Sequence, residues 1–180
     1  MIYVKPPLKP QANLTEISAR LTQSQRDVVS AEPVCLIGIR GYYANTFGKP
    51  HVNDRIHFDD ALFIVTQTGV EPFNFNSDPS VYLRGVATLK SDEVYTCVKW
   101  KHKGKYPALQ IVLDKVYRDG SNVLDIGRHG INFHYDAEEQ SKYSLGCQTL
   151  PRSQWAHFID AVYTLMDKDK IKNIKYILVD

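Results

Sequence analysis

From Val34 onward, short runs of β-branched and aromatic residues alternate with Gly, Asp, Asn or Pro. VCLIGIR (34–40), ALFIVTQ (61–67), EVYTCVKW (93–100), ALQIVLDKVYR (108–118), NVLDIGR (122–128) and GINFHY (130–135) all have this form. Runs of this kind, bounded by turn formers, predict strands. Asp119-Gly120 stands between two of them and predicts a hairpin. Two segments follow a helical period instead. Leu14, Ile17, Leu21 and Val28, set among polar residues, predict one amphipathic helix over residues 14–28. Trp155, Phe158, Ile159, Val162 and Met166 fall on one face of a second. Pro151 suits its first turn and Ser153 is an alternative N-cap. KYILVD (175–180) reads as a closing strand, and Pro6, Pro7 and Pro10 as an extended arm. The expected fold is mainly β, a β-rich α+β single domain. An arm and helix span residues 1–33, and a strand-built domain spans 34–180 with one late helix.

Composition narrows the function classes. A chain of 180 residues suits one domain with a sizeable core. Lys+Arg number 22 against 20 Asp+Glu, a net +2, which lacks the basic excess of a nucleic-acid binder. The run KWKHKGK (99–105) reads as a solvated basic face. No stretch reaches the ~20 consecutive apolar residues of a membrane span. MIYVKPPLKP lacks the apolar core of a signal peptide. The expectation is therefore synthesis in the cytoplasm, with neither nucleic acid nor membrane as partner. Neither GxGxxG nor GxxxxGK[ST] occurs, and no cofactor is expected.

Candidate chemistry centres on one cysteine. Cys35, Cys97 and Cys147 are odd in number and lack CxxC spacing, which argues against a disulfide scaffold and structural zinc. Cys35 and Cys97 lie in apolar strand-like runs, where a thiol behaves as a small hydrophobe. Cys147 follows Gly146 and precedes the late helix. A cysteine nucleophile needs a favoured thiolate, a base in reach and main-chain N–H groups aimed at the developing oxyanion. The opening helix is expected to supply amides, Gly146 close approach to a substrate, and His134 the base across the polar loop DAEEQSKYS. On spacing alone, a buried thiol and an incidental imidazole stand beside that reading. His51, Asp54, His57, Asp59 and Asp60 lack a metal-ligand pattern and read as turn and strand-start chemistry. IRGYYANTFG (39–48) reads as a strand end and turn with aromatic packing, or as a wall of a substrate cleft. FNFNSDP (73–79) reads as an amphipathic strand.

The stretch from His134 to Ser144-Leu145-Gly146-Cys147 resembles the catalytic signature of the L,D-transpeptidase family. The resemblance is sharp over about 20 residues. It implies Cys147 as nucleophile, His134 as base, Ser144 as a motif residue and Gly146 as the close-approach glycine, with residues 34–180 as the catalytic domain. The family's arginine two places after the cysteine is absent here, where Gln148-Thr149 stands. Arg40, Arg128, His129 and Arg152 are the candidates for substrate binding, the arginines for an anionic group. The glycine that often follows the family histidine is also absent, and His129-Gly130 offers that dipeptide earlier. Period-2 alternation places Asn132 and His134 on one face and His129, Ile131 and Phe133 on the other, which favours His134. The implied activity is acyl transfer or hydrolysis on peptidoglycan stem peptides, without a metal. Lacking an export signal, such an enzyme would be a phage lysis enzyme or an antibacterial effector, with an immunity or delivery partner. Two alternatives remain: a Cys-His peptidase or amidase of other bond preference, and a non-enzymatic β-rich binding or structural module with Cys147 buried.

Overall fold

The hydrophobic runs become strands because most of their apolar side chains meet a shared interior. The computed structural model describes residues 5–47, 51, 54–136 and 144–180. In chain order it contains α1 (Leu14–Ala19), α2 (Gln23–Ala31), β1 (Val34–Ile39), β2 (Asp60–Thr66), β3 (Gly69–Phe75), β4 (Ala87–Leu89), β5 (Glu93–His102), β6 (Tyr106–Ile111) and β7 (Asp114–Arg118). β8 (Leu124–Gly127), β9 (Asn132–Asp136), β10 (Gln148–Pro151), α3 (Arg152–Lys168) and β11 (Asn173–Val179) complete it. The mainly β architecture with a late helix is as expected. The polar loop between His134 and Ser144 falls largely outside the described residues, as do residues 1–4 of the arm and the end of the 39–48 segment.

Eight strands form one sheet in the order β10-β9-β6-β5-β11-β1-β2-β3, and β4-β7-β8 form a second. The large sheet curls until its two edge strands meet. Asn76, just past β3, and Thr149 of β10 exchange two main-chain hydrogen bonds of 2.9 Å. This joining covers part of each open edge. Inside lie Leu36, Phe73, Phe75, Phe133 and Tyr176, closed by Trp155, Phe158, Val162 and Met166 of α3 and by Leu89 and Val116 of the small sheet. A second core of Ile37, Ile39, Phe63 and Val65 backs onto Ile17 and Leu21, so the N-terminal helices are a layer of the same domain.

Three local readings change. The single helix over 14–28 is two helices, because each start carries its own capping box: Asn13 with Glu16, then Thr22 with Gln25. ALQIVLDKVYR divides into β6 and β7, with Val112 donating its N–H to Thr96 O at 2.9 Å between them. A strand not foreseen, β10, lies between Cys147 and α3. Pro151 occupies the N-cap of α3 and Ser153 is inside it. Asp119-Gly120 does begin the β7–β8 hairpin loop, with Gly120 at φ 84°. No helix among the described residues is long and apolar enough to cross a membrane.

The acidic pair reads as turn chemistry. Asp60 accepts hydrogen bonds from Gly41 N–H at 2.6 Å and from Ser77 N–H and Oγ, both at 2.7 Å. Asp59 accepts from Asp54 N–H at 2.7 Å, while its Oδ1 has no hydrogen-bond partner among the described residues. Burial first, and their mutual repulsion in the case of Asp59, raise the Asp59 and Asp60 carboxyls above the usual carboxylate range. A carboxyl raised in the folded state holds a proton that the unfolded chain has already lost. Stability therefore falls as pH rises above the usual carboxylate range, until the folded group ionises. Asp59→Asn keeps an acceptor for Asp54 N–H and removes the ionisation. Its melting temperature is expected to drop less than that of the parent between about pH 5 and about pH 9 by differential scanning fluorimetry.

Candidate active site

The site begins with a main-chain ladder. β9 and β10 pair in parallel, Gln148 opposite Phe133 and Thr149 opposite His134. Cys147 is the residue before β10, level with Asn132. Ser144-Leu145-Gly146-Cys147 forms the turn that delivers it. Ser144 Oγ donates to Cys147 O at 2.8 Å and accepts Gly146 N–H at 3.3 Å. Ser144 N–H donates to Ser80 Oγ at 3.0 Å, and Ser80 N–H to Ser144 O at 2.8 Å. Ser144 thus shapes the turn rather than touching the thiol. Gly146 has φ 138°, and a Cβ there would sit 2.5 Å from Ala87 O. Close approach does require this glycine, but the approaching group is the main chain of β4, not a substrate.

The expected helix-end amides are not at the sulfur. α3 begins at Arg152, after the four residues of β10. At ~3.3 Å per residue that strand sets the helix start about 13 Å along from Cys147. The group that meets the sulfur is Asn132. Cys147 is partly buried, and burial raises its thiol pKa. The main-chain N–H and the side chain of Asn132 oppose that rise, Asp114 adds to it and Lys103 lowers it.

His134 lies two residues from Asn132 on the same face of β9, ~6.6 Å along the strand. Its Nδ1 is 2.8 Å from Tyr135 O. A carbonyl only accepts, so Nδ1 carries the proton and Nε2 holds the lone pair. Burial pushes the His134 pKa down to about 4, opposed by the Tyr135 hydrogen bond and reinforced by His102 and Lys103. Thiol and imidazole are therefore both neutral at neutral pH.

His102 was not anticipated, being read as part of a solvated basic run. Its ring lies 4.4 Å from that of His134, centroid to centroid, although β6 separates their strands. Trp100 pairs with Ala108, and one step beyond the Leu109–Phe133 pair puts Ala108 opposite His134. That small side chain leaves room for the two imidazoles to meet. His102 is buried, which lowers its pKa, and its Nδ1 has no hydrogen-bond partner among the described residues. Tyr106 packs 5.5 Å from His102 and 4.8 Å from Tyr135. The two-residue spacing of Trp100 and His102 is the signal that could have set them together on one strand face.

The other predicted residues are less central. His129 Nδ1 lies 3.2 Å from an Arg118 N–H donor, and Nε2 lies 3.4 Å from Asp125 Oδ1. Arginine only donates, so the lone pair of the neutral ring is taken and His129 is poorly placed to act as base. Its main-chain N–H and that of Gly130 donate to buried Asp114 at 2.7 and 3.1 Å. Arg40 is committed to Asp78, Asp180, Ser77 and the Leu89 carbonyl, away from the sulfur. Arg128 is exposed beside His129, and Arg152 lies over the Tyr135 ring at 5.2 Å. A cleft of about 500 Å³ does reach Cys147, lined by Arg84, Ala87, Arg118, His129, Leu145 and Gly146 among others. Its arginines, Arg84 and Arg118, are not those the sequence suggested. No protein-family model matches the chain, and no curated protein matches it.

Accessibility separates the three thiols. Cys35 is buried and its pKa is pushed up to about 12, and Cys97 is sealed and raised further. Cys147 borders the cleft. Iodoacetamide is expected to give one adduct on the folded protein, mapped to Cys147 by peptide mass analysis. Labelling of all three cysteines only after denaturation would count against an accessible sulfur.

Proposed function

We propose that this protein is a cysteine-dependent enzyme of the L,D-transpeptidase type, performing acyl transfer or hydrolysis on peptidoglycan stem peptides. One observation carries the reading: the Cys147 sulfur meets Asn132, and His134, with its Nε2 unprotonated, stands two residues along the same strand face. The motif around these residues supplies the substrate class.

The resting pair is neutral, so His134 acts as a general base rather than as the cation of a preformed ion pair. Nε2 takes the thiol proton as Sγ attacks the carbonyl at the diaminopimelate residue. The tetrahedral oxyanion is met by a main-chain donor. Gly146 N–H already donates to Ser144 Oγ, and the N–H of Cys147 itself is assigned this role. The carbon–nitrogen bond breaks, His134 returns the proton to the departing amine, and a thioester on Cys147 remains. An incoming amine or water then loses a proton to His134, attacks the thioester and frees the thiol. Arg84, exposed in the cleft, takes the part of the missing family arginine and holds a stem-peptide carboxylate.

A non-enzymatic module with an inert thiol draws on the burial that raises the Cys147 pKa. The cleft that borders the sulfur favours the enzyme, with His129 on its wall and His134 behind Asn132 on the neighbouring strand. Incubation with purified muropeptides decides between them. Loss of a terminal D-residue, or its exchange for an added D-amino acid, is expected by mass spectrometry. Cys147→Ala is expected to be silent, and His134→Gln to be slowed by about 10²–10⁴-fold. No product from the parent protein on any muropeptide would sink the enzymatic reading.

The pH profile tests the base. His134 becomes neutral as pH rises through about 4, so the acidic limb of kcat/KM is expected near that value. A limb near the ordinary histidine value of ~6.5 would point to a solvated imidazole instead.

A further inference from the structure

Beyond its last pair with β11, Val98 with Asn173, β5 runs on with β6 as a hairpin ribbon whose β5 edge is free of β11, while β6 stays beside β9 as far as the Leu109–Phe133 pair. Its turn is tight, with Lys103 at φ 49° and Gly104 at φ 71°. Trp100 on this ribbon is 50% exposed, unlike Trp155, which is 7% exposed and part of the core. Tyr163 of α3 secures the free edge: its hydroxyl lies 3.3 Å from Trp100 N, 3.1 Å from Trp100 O and 2.7 Å from Ala108 O. Lys99 is tied to Asp167 and lies over the Tyr163 ring at 4.6 Å, whereas Lys101, Lys103 and Lys105 are exposed. A mainly apolar groove of about 680 Å³ runs here, lined by Lys99, Trp100, Lys101, Lys103, Pro107 and Tyr163. Large exposed aromatics beside an apolar groove commonly mark a ligand surface.

We infer that this ribbon is a docking surface for the glycan strand that carries the stem peptide, an inference that rests on the peptidoglycan reading above. A tryptophan face accepts the C–H face of a sugar ring, and the exposed lysines meet the carboxylates of the peptides borne along the glycan. The ribbon is continuous with the site, because His102 follows Trp100 by two residues and stacks on His134. The span also fits. Trp100 lies in register with Ala108, His134 and Thr149, so Cys147 is three strand spacings across, roughly 14 Å, and two residues along, roughly 7 Å, which is about 16 Å in all. An extended tripeptide reaches about 10 Å, and the sugar with its ether arm covers the remainder. A glycan seated on Trp100 thus brings the third stem residue to Cys147.

The test separates this inference from the catalytic one by using Cys147→Ala protein, in which binding is read whether or not the thiol reacts. Co-sedimentation with purified sacculi is expected to show binding that weakens with added salt. Adding Trp100→Ala, or Lys101→Glu with Lys105→Glu, is expected to weaken it at least about tenfold, and Trp100→Phe to restore most of it. Melting curves on each variant confirm the fold. Equal sedimentation of the Trp100→Ala protein would overturn the inference, as would sedimentation lost with Trp100→Phe as fully as with Trp100→Ala. Binding to a single-stranded DNA oligonucleotide as tight as to sacculi would also overturn it, by marking a general polyanion surface. Turnover of soluble stem tetrapeptides by the parent protein reports on the catalytic reading alone.

Discussion

The parallel ladder between β9 and β10 is the constraint on which the site depends. β10 is only four residues long, and a short parallel edge strand has little independent stability. It is held from the far side by the two Asn76–Thr149 hydrogen bonds that join the sheet edges, and from within by Leu150 in the core. Gln148 adds a third tie, donating to Ser77 O at 2.9 Å and accepting from Tyr176 OH at 2.9 Å. Alternation then sets the rest. Gln148 and Leu150 turn inward, and Cys147 comes level with Asn132. The position that in the compared motif precedes an arginine is used here for a buried amide that anchors the strand.

The electrostatics follow from that placement. A thiol and an imidazole drawn partly out of water both favour their neutral forms, which is why His134 falls to about 4 while Cys147 rises. The stacked His102 belongs to the same account, since a second imidazole beside the first further penalises a charge on either. A neutral pair avoids the cost of burying two charges and leaves proton transfer to the moment of attack. Asn132 and Lys103 temper the penalty on the thiolate that forms transiently.

The sequence made the periodicities legible. The strand runs, the face of α3 and the separation of Cys35 and Cys97 from Cys147 all follow from apolar spacing, and each appears in the structure. So does the shared face of Asn132 and His134. What escaped were features shorter than the period that would reveal them. β10 spans four residues ending in proline, and the Thr22 capping box lay inside a run whose apolar spacing carried straight through it. Gly146 was recognised as a close-approach glycine, but its neighbour, the Ala87 carbonyl, is distant in the chain. Arg40 carried a charge suited to a ligand, yet its partners Asp78 and Asp180 arrive from the β3–β4 connection and the C-terminus.

By itself, then, the order of residues determined a mainly β domain with a late amphipathic helix, two thiols destined for the core and a third in a polar, glycine-bearing turn. These are local properties, written in the spacing of apolar side chains and in the conformational freedom of glycine. Only the tertiary structure decided that the sheet curls until β3 meets β10. The same is true of the meeting of His102 and His134 over Ala108, and of a cleft arginine supplied by Arg84 and Arg118 instead of Arg40, Arg128 or Arg152. Those outcomes depend on which strands become neighbours, and strand pairing joins residues whose separation along the chain leaves no periodic trace.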